Sequence, residues 1–191
     1  MPHTGLILRE RSHALMKMIF STKSKAGTKI IDWQTNPHLL ISGRTGSQKT
    51  TALENIMLHC MSNKPGSKNN SNMGMSAKLY LIDGKGSDLS TLRDEVPVAV
   101  TPNETARMLR TLCVDMHKRY ENYSGDFGKT AADYVDDHGR HIRQVVIVVD
   151  ELAVLLNESK TRSEIQKYLF ELLVAARQAS IYVAACWPQN T

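Results

Sequence analysis

Eight consecutive residues, Gly43-Arg44-Thr45-Gly46-Ser47-Gln48-Lys49-Thr50, combine types suited to gripping phosphate. A glycine-bearing turn can aim successive backbone N–H groups at one anion, and a helix starting where the turn ends adds its partial positive charge. At this spacing Lys49 reaches β- and γ-phosphates, and the Thr50 hydroxyl ligates Mg²⁺. The nucleotide-contacting set is read as Gly43, Arg44, Thr45, Gly46, Ser47, Gln48, Lys49, Thr50 and Thr51. The spacing fits GxxxxGK[ST] except at position 48, where glutamine stands for glycine. Glycine serves where backbone approaches phosphate closely or takes an unusual φ. A side chain there has to point away, and is expected to weaken or block nucleotide binding.

A second set lies downstream. The run Val145-Val146-Ile147-Val148-Val149 ends in Asp150-Glu151. Here Asp150 is read as holding Mg²⁺ through water and Glu151 as the general base toward an attacking water. Alone, the pair is better explained as acidic turn residues closing a buried strand; the phosphate loop upstream reverses that preference in favour of the chemical reading. His138 and His141 could share a face as metal ligands, but the polar stretch around them reads better as a loop. Cys60, Cys113 and Cys186 are isolated and odd in number, which indicates buried reduced thiols and neither a disulfide framework nor a zinc site.

These residues need a scaffold that brings them together. The apolar run over 38–42 suits a buried strand, and Leu53, Ile56, Met57 and Cys60 recur at helical spacing after it. A polar loop is expected over 62–76, strands over 78–83 and 96–100, and a helix starting at Thr101-Pro102. Pro97 places its strand at an edge or at its own beginning. Ala106, Leu109, Leu112, Cys113, Met116 and Tyr120 form that helix's apolar stripe. The β-branched run before Asp150 indicates a strand covered on both faces, as in a parallel sheet. A helix over 161–178 and a strand over 181–186 complete an alternating α/β domain with a mostly parallel central sheet, the RecA-like P-loop architecture.

At 191 residues the chain suits one core, and 41% hydrophobic with 23% charged residues excludes disorder throughout. No apolar run reaches eighteen residues and no secretory signal opens the chain, so a cytoplasmic protein is expected, with membrane contact only through a partner or a further segment. The net charge of +5 is weak support for an anionic partner such as nucleic acid.

Five blocks carry a more specific likeness: residues 36–47, 81–89, 115–120, 148–156 and 176–181, which include Ile82-Asp83-Gly84-Lys85, Asp115-Met116-His117-Lys118-Arg119-Tyr120 and Val149-Asp150-Glu151-Leu152-Ala153. In that order they resemble the motor domain of the FtsK/SpoIIIE family of DNA translocases. On that basis 28–191 is read as a C-terminally short P-loop ATPase motor domain and 1–27 as an N-terminal extension. The resemblance implies a Mg²⁺-dependent ATPase that assembles as a ring, usually a hexamer, and moves double-stranded DNA. Ring assembly places ATP between subunits, so one subunit lends its neighbour an arginine; Arg177 matches a family arginine, with Arg119 the runner-up. The family's polar segment after the last strand is altered here to Cys186-Trp187-Pro188-Gln189, and Gln189 serves only with a one-residue register slip. The chain also lacks the family's membrane anchor and winged helix, and is read as a short, mobile-element version or an excised domain.

Three functions compete. A double-stranded DNA translocase of a conjugative or plasmid element has the widest sequence support. A protein-pumping ATPase of the type VII secretion kind is the second. The third, a degenerate nucleotide-binding subunit without hydrolysis, is favoured by Gln48 and opposed by the intact Lys49, Thr50, Asp150 and Glu151.

Overall fold

The computed structural model describes residues 17–20, 29–33, 35–44, 46–62, 77–123, 127–139, 142–157 and 160–188. Thr45, His141, Gln189 and all but Ser62 of the loop expected over 62–76 lie outside them. Strands β1 (Lys17–Phe20) and β2 (Lys29–Asp32) pair antiparallel, with Lys17 opposite Asp32. Strand β3 (His38–Gly43) leads through the glycine-bearing turn into helix α1 (Lys49–Ser62). Then follow β4 (Lys78–Asp83), β5 (Val98–Ala99) and α2 (Pro102–Tyr123). The chain continues through β6 (Val145–Asp150), α3 (Leu152–Leu155), α4 (Arg162–Ala175) and β7 (Ile181–Pro188). Five strands form one sheet in the order β3-β7-β6-β4-β5, and each neighbouring pair is parallel.

The composition of β6 explains its central place. Five β-branched residues favour the pleated conformation, and each residue of the strand is buried. Val145, Ile147 and Val149 pack on one face with Leu109, Leu112 and Met116 of α2 and with Ile165 and Leu172 of α4. Val146 and Val148 face the other way, into a cluster with Trp33 and with Leu53, Ile56 and Met57 of α1. Each such apolar side chain contributes about 1.5–3 kcal/mol on burial, so the sheet is held from both sides.

Element boundaries follow local chemistry. The strand expected over 96–100 shrinks to Val98–Ala99 at the sheet edge, directly after Pro97, whose carbonyl accepts from the Leu81 N–H at 2.9 Å. Helix α2 opens on a capping box. The Glu104 carboxylate accepts from the Val100 and Thr101 N–H groups, and the Glu104 N–H donates to Thr101 Oγ1. Helix α4 closes at Ala175, before the 178 expected from periodicity. The chain turns there because the Ile181 N–H returns to the Ala176 carbonyl and Ser180 takes φ 56°. Strand β1 falls within the 1–27 stretch and pairs with β2 beyond it. Among the described residues no helix is long and apolar enough to cross a membrane.

Candidate nucleotide site

Parallel pairing sets the carboxyl ends of all five strands of this sheet along one edge. Gly43 is in register with Pro188 of β7, and Asp150 with Asp83 of β4. Only β7 separates β3 from β6, so the loop after Gly43 and the acids after Val149 stand about 10 Å apart, two strand spacings. This edge is where open parallel sheets form ligand crevices.

The loop folds back on its own start. A Cβ on Gly43 would lie 2.4 Å from Ser47 Oγ and 3.3 Å from its Cβ, so a larger residue would have to displace the Ser47 side chain, and Gly46 takes φ 79°. Gln48, standing for the pattern's second glycine, takes φ 62° and is exposed. That is the left-handed conformation glycine accepts freely and an L-residue adopts at a cost. The Ala52 N–H donates to the Gln48 carbonyl at 3.1 Å, so the helical ladder starts there. Amides 48–51 therefore have no intrahelical acceptor and meet the positive end of the α1 dipole. Lys49 Nζ donates to the carbonyls of Gly43 at 2.8 Å and Arg44 at 2.9 Å, tying the amine to the loop. Thr50 is half-buried, while Arg44, Gly46, Ser47 and Thr51 are exposed.

The acidic half is drier. Asp150 is 5% exposed; burial pushes its pKa up, Lys85 opposes that, and Glu151 and Asp83 add to it. Glu151 stands at φ 55°, ψ 51°, and its carboxylate pairs with Lys85 Nζ at 2.8 Å. That hydrogen bond is the main cause of a raised Lys85 pKa. Asp83, fully buried, accepts from the N–H groups of Lys85, Gly86 and Ser90. Among the described residues no three His, Cys, Asp or Glu side chains converge to hold a metal alone. The hard oxygens of Asp150 and Thr50 suit Mg²⁺ only with phosphate oxygens sharing its shell, the usual arrangement for that ion.

The remaining candidates lie elsewhere. Arg177 is exposed in the turn between α4 and β7, past the helix on which periodicity put it, at the opposite end of the sheet from Lys49. Arg119 is occupied: its guanidinium bonds Asp115 and the carbonyls of Arg143 and Ala179. His138 sits in an exposed turn, its N–H on Asp136 Oδ1. The three cysteines are free and buried, and burial pushes Cys60 and Cys113 up to about 12 and Cys186 to about 11. Sequence reasoning gave Gly84 and Lys85 no role at the site. A Cβ on Gly84 would come within 2.7 Å of the Glu151 carbonyl. The signal for both, a Gly-Lys step after a strand ending in Asp, has meaning only once β4 is known to lie beside β6.

The sequence model of the FtsK/SpoIIIE family matches residues 9–179. The chain belongs to the FtsK/SpoIIIE family. It is 30% identical over 174 residues to the DNA translocase FtsK of Lactiplantibacillus plantarum, covering 81% of this chain and 20% of that protein. It is 26% identical over 183 residues to the DNA translocase FtsK of Lactococcus lactis subsp. cremoris, covering 88% and 23%. The chain thus spans about a fifth of the length of these FtsK relatives. Among solved structures, the pCW3 conjugation coupling protein TcpA, in its monomer form with ATPγS, superposes with a TM-score of 0.71 at 22% identity, covering 97% of this chain and 51% of that one. Thermomonospora curvata EccC (ATPases 2 and 3), in complex with a signal sequence peptide, gives 0.62 at 17% identity, covering 93% and 30%. At these identities the superpositions speak to the fold, which is the parallel α/β P-loop architecture expected from the sequence.

Proposed function

We propose that this chain is the nucleotide-hydrolysing core of an ATP-dependent double-stranded DNA translocase. One observation carries the reading. In an FtsK/SpoIIIE chain, the Gly43–Gln48 turn with Lys49 and the Asp150-Glu151 pair meet on one sheet edge, two strand spacings apart. Curated relatives bearing the name DNA translocase support the choice of DNA as the polymer moved.

Each residue has a task that follows from its place. The amides 48–51 cradle the phosphates. Lys49 exchanges two neutral carbonyl acceptors for phosphate oxygens, and charge-assisted bonds of that kind are about twice as strong as neutral ones. Thr50 and, through water, Asp150 would hold a Mg²⁺ ion, which would supply charge neutralisation at the transferring phosphoryl group. Glu151 accepts the proton of the attacking water, a role worth roughly 10²–10⁴ in rate. Arg177 completes the site of a neighbouring subunit in a ring, a hexamer by the family's usual form. The reading places the chain in the cytoplasm, in contact with a membrane only through a partner.

Gln48 at φ 62° favours a second reading, a subunit that binds nucleotide without turning it over. The likeness to EccC extends to the fold alone and does not favour a secretion ATPase over a DNA motor. The deciding measurement is ATP turnover with and without double-stranded DNA. Stimulation by DNA, abolished by Lys49→Ala, supports the motor. Nucleotide binding without turnover, or turnover stimulated by a peptide and not by DNA, overturns it.

A further inference from the structure

Glu151 is held at both ends by one neighbouring turn. On the backbone side, the Gly84 N–H donates to the Asp150 carbonyl at 3.1 Å. Gly84 also lies so close that a Cβ there would meet the Glu151 carbonyl at 2.7 Å. On the side-chain side, Lys85 Nζ holds Glu151 Oε1 at 2.8 Å. The turn is itself braced: the buried Asp83 carboxylate gathers the N–H groups of Lys85, Gly86 and Ser90 at 3.2, 2.9 and 3.0 Å. The Gly86 N–H makes a further bond to the Asp83 carbonyl at 3.2 Å. A glutamate side chain has three rotatable bonds and would otherwise sweep a wide arc at the sheet edge. Its backbone, in the left-handed region, needs neighbours that fix it there.

We propose that the turn over 83–90 is a positioning element for Glu151, and that Lys85 is the positioning residue that aims its carboxylate at the attacking water. This inference rests on the reading of Glu151 as general base. Among the described residues Lys85 Nζ pairs with Glu151 and makes no hydrogen bond or ion pair with the phosphate loop or its helix, so its loss is expected to bear on the alignment of Glu151 more than on nucleotide binding. Misalignment on the ångström scale costs up to about 10²-fold in rate.

The test compares steady-state ATP turnover and binding of a fluorescent ATP analogue in wild type, Lys85→Met, Lys85→Arg, Glu151→Gln and Lys85→Met/Glu151→Gln. Lys85→Met is expected to lower kcat roughly 10- to 100-fold with KM and analogue affinity unchanged. Lys85→Arg restores most of the rate, and Lys85→Met has no further effect in the Glu151→Gln background. A rise in KM at constant kcat, a wild-type rate in Lys85→Met, or the same fold-loss in both backgrounds overturns the proposal. Should Lys85→Met fail to fold by circular dichroism, Lys85→Gln takes its place. A carbodiimide cross-link between Lys85 and Glu151 within one wild-type chain, read by peptide mass spectrometry, checks the pair without any variant; its absence also overturns the proposal. The two levels of inference fail differently. Wild-type turnover no greater than that of Glu151→Gln removes the reading of Glu151 as general base and Lys85's role with it. Wild-type turnover matched by Lys85→Met removes the role of Lys85 alone.

Discussion

Replacing Gln48 by glycine tests the phosphate loop at its most unusual point. Gln48 holds φ 62° without the freedom glycine has there. An L-residue in the left-handed region costs about 1–2 kcal/mol. Glycine removes that cost but frees the unfolded chain, which offsets about 0.4–1 kcal/mol. The net is a gain of about 0–1.6 kcal/mol, and at this chain length roughly 2–4 °C of Tm accompanies each kcal/mol. Helix α1 loses little at its start, because glycine serves nearly as well as most residues before a first turn. Gln48→Gly is therefore expected to melt level with wild type or a few degrees above it. Gln48→Val, β-branched and poorly suited to positive φ, is expected to melt lower. Thermal unfolding by circular dichroism reads both. Equal losses in the two variants would refute a left-handed residue at 48. Affinity for an ATP analogue, measured on the same samples, asks the functional question. If the glutamine side chain crowds the phosphates, Gln48→Gly binds more tightly; unchanged affinity means that the side chain already points away.

Two further perturbations follow from the geometry. Gly84→Ala sets a methyl 2.7 Å from the Glu151 carbonyl and 3.0 Å from that of Asp150, both backbone atoms that cannot rotate aside. It is expected to cost about 1–3 kcal/mol in denaturant unfolding and to lower kcat more than ATP-analogue affinity; a variant with native stability and kcat would contradict the close approach. Glu104, whose carboxyl the Thr101 and Val100 N–H groups pull from its ordinary 4.5 to about 2, links stability to pH. An acid with a lowered folded pKa stabilises fully above its unfolded value, and that contribution drains away as pH falls from about 4.5 toward 2. Wild type should thus exceed Glu104→Gln by about 0.5–2 kcal/mol at pH 7, the worth of a helix cap, with the gap closing across that acid window. A gap independent of pH would show that the carboxylate's charge contributes nothing.

Periodicity made the scaffold legible. Leu53, Ile56, Met57 and Cys60 of α1 and the stripe from Ala106 to Met116 of α2 are buried as their spacing requires. The β-branched run before Asp150 is the innermost strand. Strands β1 and β2 escaped because each has four residues, too few to show alternation, and they exist as strands only through each other. The shape of the turn after β3 was legible because its demand is local: its positions of positive φ fall at Gly46 and at Gln48, where the pattern has glycine. The Lys85–Glu151 pair was not, because 66 residues separate its members and only strand order joins them. Arg177 shows the same limit, since helical spacing continues on paper past the point where hydrogen bonds from Ser180 and Ile181 turn the chain.

The place of Arg177 decides how it can act at all. It precedes β7, while the phosphate loop and Asp150 lie level with that strand's far end. Eight residues of strand span about 25 Å, well beyond the reach of an arginine side chain, so Arg177 cannot touch the nucleotide held by its own subunit. Arg119 is tied to carbonyls near the same end, at Arg143 and Ala179, and is no substitute. Any contribution of Arg177 to hydrolysis must therefore cross a subunit boundary. Mixing two inactive variants separates this from a surface role. Arg177→Ala retains Lys49, and Lys49→Ala retains Arg177, so an active site re-forms wherever an Arg177→Ala subunit receives its arginine from a Lys49→Ala neighbour. Random equimolar assembly in a head-to-tail ring yields about a quarter of such sites, and turnover should recover to roughly that fraction of wild type. No recovery in mixed rings that assemble, as judged by light scattering, would refute the crossing. Wild-type turnover by Arg177→Ala alone would remove the residue from the site altogether.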